Sequence, residues 1–456
     1  MQYFQSINPF TQETLQKFPI EKTEQVNQKI KQAWEAYQQN KAQTLTHRCK
    51  AVQKLGSLLK AQTKDLAPLL TQEMGKPLAE AESELEKCAW LCDYYAEQAD
   101  AFLVPRTENT DAQESYVRYD PLGVVLAVMP WNFPFWQVFR CAVPAYLAGN
   151  TVLLKHAENV QGCAQALEQL FSQAGLGNHA LQNICIAVEQ IEEVVAHPKV
   201  RAVSLTGSLR AGRSLAAVAG KHLKPQVLEL GGSNAFVIFE DAPLEKAAEL
   251  ALNARMMNNA QSCIAAKRFL VHEAVADAFT ELLKKKIAGL KMGNPMDREI
   301  DLGPLARVDL AEQLADQVER ATQAGAQLLI GGKRHDAFYE PTLLTQVGPE
   351  NPAFQEELFG PVFSLTMFKT AQEAVDLVNQ SDYGLGVSLI TKNLERAKGL
   401  IPAFEDGAVF INDLVKSHPH LPFGGTKHSG YGRELSREGI RAFTNVKTVA
   451  VKNSLS

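Results

Sequence analysis

Apolar positions along the chain change period three times, and those changes predict its layers. From about residue 22 to 103 they recur at helical spacing: Val26, Ile30, Trp34 and Tyr37, then Val52, Leu55, Leu58 and Leu59. The Gln and Lys residues between them read as a solvated face, so this helical layer is expected to carry no chemistry of its own. At 104–121 the texture becomes alternating and strand-like, through Glu114-Ser115-Tyr116-Val117-Arg118-Tyr119 to Pro121. Thr444 to Lys452 alternates in the same way, and neither segment has an obvious local partner.

Between 122 and 240, short apolar runs alternate with helical stretches. Strands are predicted at Val124–Met129, Thr151–Lys155, Ile184–Val188, Ala202–Leu205, Val227–Leu230 and Ala235–Phe239, with helices such as Gln161–Gln173 and Leu209–Lys221. Apolar strands alternating with helices predict a parallel sheet covered on both faces. Ligands of such sheets bind beyond the carboxyl ends of the strands. The second half repeats the texture: a helix at Leu244–Met257, a strand at Arg268–Val271, a helix at Ala274–Ala288, and strands at Val362–Phe368, Val387–Ile390 and Val409–Ile411. Gly293-Asn294-Pro295 and Gly331-Gly332 mark turns. The fold class is therefore α/β, with two doubly wound domains meeting near residues 231–241.

Composition narrows the function classes. A formal net charge of −5 gives no electrostatic reason to expect nucleic acid or an anionic membrane as partner. No apolar run approaches the ~20 residues that span a bilayer, and Met1-Gln2-Tyr3-Phe4-Gln5-Ser6 has no basic start leading into one. The expectation is a cytoplasmic enzyme. Seven cysteines without a CxxC or paired spacings suit a reducing compartment. Cys88 and Cys92, four apart on a predicted helix, read as core residues, not metal ligands.

Two stretches carry candidate chemistry. Asn258-Asn259-Ala260-Gln261-Ser262-Cys263 offers a thiol in polar company, unlike a buried structural cysteine. Glu229-Leu230-Gly231-Gly232, 34 residues upstream of that thiol, offers a carboxylate and two glycines that permit close backbone approach. The separation is too great for a local contact and compatible with adjacent strand ends. A thiol needs a nearby base or positive dipole to become a nucleophile.

Together these motifs resemble the aldehyde dehydrogenase superfamily, from Asn8-Pro9-Phe10-Thr11 to Asn445-Val446-Lys447-Thr448-Val449. Lys155-His156-Ala157, Leu421-Pro422-Phe423-Gly424-Gly425 and Ser429-Gly430-Tyr431-Gly432-Arg433-Glu434-Leu435-Ser436 are most similar to the compact bacterial-type succinate-semialdehyde dehydrogenases. The resemblance implies a dinucleotide-binding domain at 1–103 and 122–231, a catalytic domain at 232–430, and an oligomerisation arm at 104–121 and 443–456, giving a homodimer or homotetramer. Two edge strands within one subunit are the plainer reading of that arm. Cys263 is then the nucleophile, Glu229 the base that activates water, and Asn132 in Pro130-Trp131-Asn132-Phe133-Pro134 a donor to the oxyanion. No metal is implied.

For a dinucleotide the resemblance implies Trp131, Asn132, Lys155, Glu158, Gly207, Ser208, Leu230, Glu357 and Phe359. Thr206-Gly207-Ser208 opens a predicted helix, whose free amides suit a phosphate, although its Gly-x4-Gly spacing departs from the common dinucleotide fingerprint. A carboxylate at Glu158 would bond a ribose hydroxyl and repel a 2′-phosphate, so NAD is expected over NADP. Glu434 matches a family glutamate near the water path.

The substrate expectation is succinate semialdehyde. Arg140, eight residues beyond Asn132, would face the same channel about 12 Å deeper and pair with a carboxylate. Phe423 would line the pocket, and Ser417 or His418 would assist. Met257 stands where some relatives carry a second arginine, which leaves glutarate semialdehyde and uncharged aldehydes as alternatives. Two readings from other classes are a thiol acyltransferase or amidase, which gives the cofactor motifs no task, and a catalytically silent family member.

Overall fold

The computed structural model describes residues 2–452. The predicted helical layer is three helices, Thr23–Ala42, Leu45–Met74 and Leu78–Leu103. Breaks fall at Gln43-Thr44, where the Thr44 side chain accepts from the His47 amide, and at Gly75, whose φ of 84° closes the second helix. Cys88 and Cys92 are buried in the core between these helices. A hairpin of Tyr3–Ile7 and Thr14–Pro19 precedes the layer.

The first sheet has six strands in the order Gly430–Tyr431, Gln226–Glu229, Val200–Thr206, Val124–Met129, Thr151–His156 and Leu181–Asn183. All are parallel except Gly430–Tyr431. Val124–Met129 pairs on one side with the next strand in sequence and on the other with Val200–Thr206. That makes a topological switch point, the place where a crevice opens above parallel strands. The strand predicted at Ile184–Val188 is displaced to Leu181–Asn183. Beyond Asn183 the chain leaves the sheet, and the Cys185 carbonyl accepts from the Glu21 amide instead.

The second sheet has seven strands: Gln327–Ile330, Thr342–Thr345, Val362–Phe368, Ala266–His272, Asn234–Ile238, Val387–Ile390 and Val409–Ile411. Only Gln327–Ile330 runs antiparallel to its neighbour. The helix Val308–Gln323 and the strands Gln327–Ile330 and Thr342–Thr345 occupy a stretch to which the hydrophobic pattern assigns only turns.

Glu114–Pro121 does find a partner: it pairs antiparallel with Thr444–Val451 over eight residues, and Arg106–Thr107 lies on its other side. Positions 453–456 of the expected arm lie outside the described residues. No helix among the described residues is long and apolar enough to cross a membrane.

Candidate active site

Glu229 is the last residue of its strand in the first sheet, and Leu230–Ser233 then crosses to Asn234–Ile238 in the second. Cys263 lies three residues before the start of Ala266–His272 in that second sheet. The two groups therefore meet between a carboxyl end of one sheet and an amino end of the other. They are not adjacent strand ends of a single sheet, because the chain changes sheets between them. The glycines serve this crossing: a Cβ on Gly232 would stand 2.7 Å from the Cys263 carbonyl oxygen, and one on Gly231 would collide with the Glu357 carboxylate.

The cysteine loop is built on an uncommon backbone. Asn258, Asn259 and Ala260 all have positive φ, at 61°, 52° and 60°. Left-handed residues usually occur singly, and asparagine tolerates the conformation best. Side chains hold the loop in place. Asn259 Nδ2 donates to the Gly75 and Pro304 carbonyls (2.7 and 2.9 Å), and the Ala306 amide donates to Gln261 Oε1 (2.9 Å). From below, Lys267 Nζ donates to the Ser262 and Cys263 carbonyls (2.8 and 2.7 Å) and faces Glu357 Oε1 at 3.1 Å. Burial pushes the Cys263 thiol up to about 11, against the pull of Lys267 and Arg140.

The Asn132 turn is stitched to this loop. Asn132 Nδ2 donates to the Gln261 carbonyl (3.0 Å), and Asn258 Nδ2 donates back to the Asn132 carbonyl (2.8 Å). An amide nitrogen has two protons, so Asn132 keeps one N–H beyond that bond. Glu84 Oε1 accepts from the Phe135 and Trp136 amides (2.8 and 2.9 Å), capping the helix Trp136–Leu147, and its other oxygen pairs with buried Lys76. His156 Nε2 lies 2.9 Å from the Pro134 carbonyl, while Nδ1 accepts from the Ala157 amide (3.0 Å), an arrangement that fits the neutral ring. Burial holds that imidazole down at about 4.

Beside the thiol lies a buried cluster of Glu229, Glu434 and Arg140. Arg140 Nε is 2.8 Å from Glu434 Oε2, a contact distance for an ion pair although the N–H is not aimed along it. The guanidinium also stacks 4.5 Å from the Phe423 ring centre. Neither Glu229 oxygen has a hydrogen-bond partner among the described residues. Burial, then the nearby Glu434 charge, pushes the Glu229 carboxyl well above the usual range. Such a carboxyl takes a proton from water more readily than an ordinary one.

Two cavities meet at Cys263. The smaller, about 260 Å³, is lined by Glu80, Glu84, Lys87, Gln137, Arg140, Met257, Ser417 and Phe423 among others. The larger, about 600 Å³, runs from Cys263 past Trp131, Asn132, Leu230, Glu357 and Phe359 to Gly207 and Ser208 at the amino end of Leu209–Lys221. A dinucleotide suits this cleft. Its far end offers free helix amides for an anion, a Cβ on Gly207 would meet nothing beyond the Leu205 side chain, and the Trp131 and Phe359 rings meet edge to face at 5.8 Å near the thiol. Lys155, on the next strand over, and Glu158, in the short 3-10 turn Glu158–Val160 that follows it, are not among the groups lining the cleft; Lys155 is buried, its Nζ 5.9 Å from the Phe4 ring centre, and Glu158 is exposed.

Four side chains that line the site or hold its loops lie outside the motifs singled out from sequence. Glu80, whose Oε1 accepts from the Asn258 amide (2.8 Å), Glu84 and Lys87 come from the helix Leu78–Leu103, so the helical layer does reach the candidate site. Their i, i+4, i+7 spacing was the available signal. Lys267, four residues beyond Cys263, is the fourth.

The chain matches the profile of the "Aldehyde dehydrogenase family" over residues 1–449. It is 45% identical to a probable succinate-semialdehyde dehydrogenase (NADP+) of Synechocystis sp., covering 97% of this chain and 98% of that one. To a succinate semialdehyde dehydrogenase (NAD(P)+) of Escherichia coli it is 42% identical, covering 97% of each. Its structure is similar to a succinic semialdehyde dehydrogenase from Streptococcus pyogenes solved with NADP+, with a TM-score of 0.96 and 37% identity, covering 99% of this chain and 100% of that one.

Proposed function

We propose that this chain, which belongs to the aldehyde dehydrogenase family and is thus an NAD(P)-dependent oxidoreductase, converts succinate semialdehyde to succinate through a thioester on Cys263. One observation carries the reading: Cys263 stands on the wall shared by a small pocket with charged walls and a large cleft ending at helix amides. The thiolate adds to the aldehyde carbon, and the free Asn132 N–H with the Cys263 amide receives the oxyanion. A bound nicotinamide dinucleotide supplies the hydride acceptor that turns this adduct into a thioester. Glu229 then takes a proton from water, the resulting hydroxide attacks the thioester carbon, and the carboxylate leaves as the thiolate is restored. Arg140, held in place by Glu434, keeps positive charge beside the reacting atoms.

The relatives above are named for NADP or for either cofactor, so the NAD preference we propose is carried by the Glu158 carboxylate alone. Thr444–Val451, the longer of the two edge strands of the three-stranded sheet, is the surface we propose for a second copy of the chain. Seven free thiols suit the cytoplasmic placement we propose. The test is a panel of succinate semialdehyde, glutarate semialdehyde and butanal with either cofactor, followed by absorbance of the reduced nicotinamide. No reduced cofactor with any aldehyde would remove the dehydrogenase reading. Equal specificity constants for succinate semialdehyde and butanal would remove the substrate.

A further inference from the structure

Arg255 and Arg268 are fully buried, and among the described residues no carboxylate oxygen lies within 4.0 Å of either guanidinium. Both donate to main-chain carbonyls instead. Arg268 Nη1 and Nη2 reach the Leu377 and Val378 carbonyls (2.7 and 3.1 Å), in the last turn of the helix Ala371–Asn379. A cation there meets carbonyls that a helix end leaves free, so its role is structural. The carbonyls around Arg255 belong to no helix. Its Nε donates to Val362 at 2.8 Å, and its Nη2 to Leu358 at 2.5 Å and to Gly360. One guanidinium thus gathers three carbonyls of a single irregular stretch, residues 358–362, just where it enters the strand Val362–Phe368.

That stretch carries Phe359, which lines the large cleft and meets Trp131 edge to face. Glu357, just before it, is held separately by Lys267 and the Gly232 amide. Arg255 itself stands in the last turn of Leu244–Met256, three residues ahead of Asn258, where the left-handed run leading to Cys263 begins. A single side chain therefore ties a wall of the cleft to the root of the cysteine loop. Burying a cation without a carboxylate partner is unfavourable, and Nη1 finds no acceptor among the described residues. Burial brings the guanidinium down to about 9, against the pull of Glu357, which leaves it charged at neutral pH. We propose that Arg255 is a positioning residue for hydride transfer: through the main chain of residues 358–362 it sets Phe359 against Cys263, and so where the nicotinamide end of a dinucleotide meets the thiol. The assignment rests on the dinucleotide reading of the cleft given above.

The test compares the wild type with Arg255→Lys, which keeps the charge but cannot span three carbonyls, and with Arg268→Lys, the same change at the helix end. Three quantities are measured: dissociation constants of NADH and NADPH by nicotinamide fluorescence, the primary isotope effect on kcat/KM, and alkylation of Cys263 without cofactor. The isotope effect is taken with the aldehyde that the wild type oxidises fastest, deuterated at its aldehyde carbon. Arg255→Lys should weaken binding of the reduced cofactor about 5- to 10-fold. It should also raise the isotope effect, because a misplaced hydride acceptor slows that step selectively. Alkylation should match the wild type's, since Glu80, Asn259 and Gln261 hold the cysteine loop independently. Arg268→Lys should lower the melting temperature and leave binding and the isotope effect alone. Wild-type binding and isotope effect in a folded Arg255→Lys protein overturn the assignment, as does an equal change in Arg268→Lys or a matching loss of alkylation. If Arg255→Lys fails to fold, Gly360→Ala decides: its methyl would stand 2.4 Å from Leu314 Cδ2 and displace the same stretch, so unchanged cofactor binding overturns the proposal. A wild type that binds neither NADH nor NADPH removes the dinucleotide reading and this inference with it.

Discussion

Replacing Lys267 with methionine removes an ammonium and keeps most of the stem, and the structure allows the effect to be worked out. The Ser262 carbonyl also accepts from the Ala265 amide (3.2 Å) and stays satisfied, whereas the Cys263 carbonyl loses its donor. Glu357 loses its cation but keeps the Gly232 amide at 3.1 Å. An orphaned buried carbonyl and a stranded carboxylate together cost about 2–4 kcal/mol, measurable by urea unfolding. The sharper readout is the thiol. Lys267 is the strongest influence pulling the Cys263 pKa down against burial, and a nearby opposite charge is worth about 1–3 pKa units. At a pH below that pKa, alkylation by iodoacetamide follows the thiolate fraction, so Lys267→Met should slow it by about 10- to 1000-fold. Mass spectrometry of the Cys263 peptide distinguishes this thiol from the other six, and Lys267→Arg should recover part of the rate. An unchanged alkylation rate in a folded Lys267→Met protein would refute the electrostatic argument.

Glu229→Gln should give a burst of reduced cofactor followed by slow turnover, because thioester formation outlives the loss of the water-activating base; wild-type steady-state turnover would remove that role. Gly232→Ala drives a methyl against the Cys263 carbonyl and should cost about 1–3 kcal/mol of stability, read by thermal unfolding, together with most of the activity. Glu158→Ser should move the ratio of specificity constants toward NADP by several-fold, since like charges ~4 Å apart repel by ~1 kcal/mol even in water; an unmoved ratio would take the NAD preference with it. Preference for succinate semialdehyde over butanal should fall as pH rises through about 8. There Lys87, flanked by Arg140, Glu84, Lys416 and Cys88, loses its proton and can no longer attract a carboxylate; the ratio cancels the ionisation of Cys263, which both aldehydes share.

The layers were legible because burial imposes a period: Val124–Met129, Gln161–Gln173, Leu209–Lys221 and Val362–Phe368 fall where the apolar pattern puts them. Groups that meet across the site were legible only where a short motif marked them. Cys263, Asn132 and Phe359 line the large cleft beside Gly207 and Ser208 because each follows or precedes a strand end, a position that sequence pattern can locate. What escaped is chemistry carried on a regular helix. Glu80, Glu84 and Lys87 sit among so many glutamates and lysines that charge alone marks nothing, and a solvated face has the same composition. Their distinction is tertiary: Glu84 meets helix amides of residues 135 and 136, and Glu80 meets the amide of Asn258. The helix Leu78–Leu103 therefore grips the oxyanion turn and the cysteine loop from one face, and a turn further on it extends Lys87 into the same cavity. A charged face that holds both loops fixes the distance between Asn132 and Cys263, the geometry on which the mechanism we propose depends.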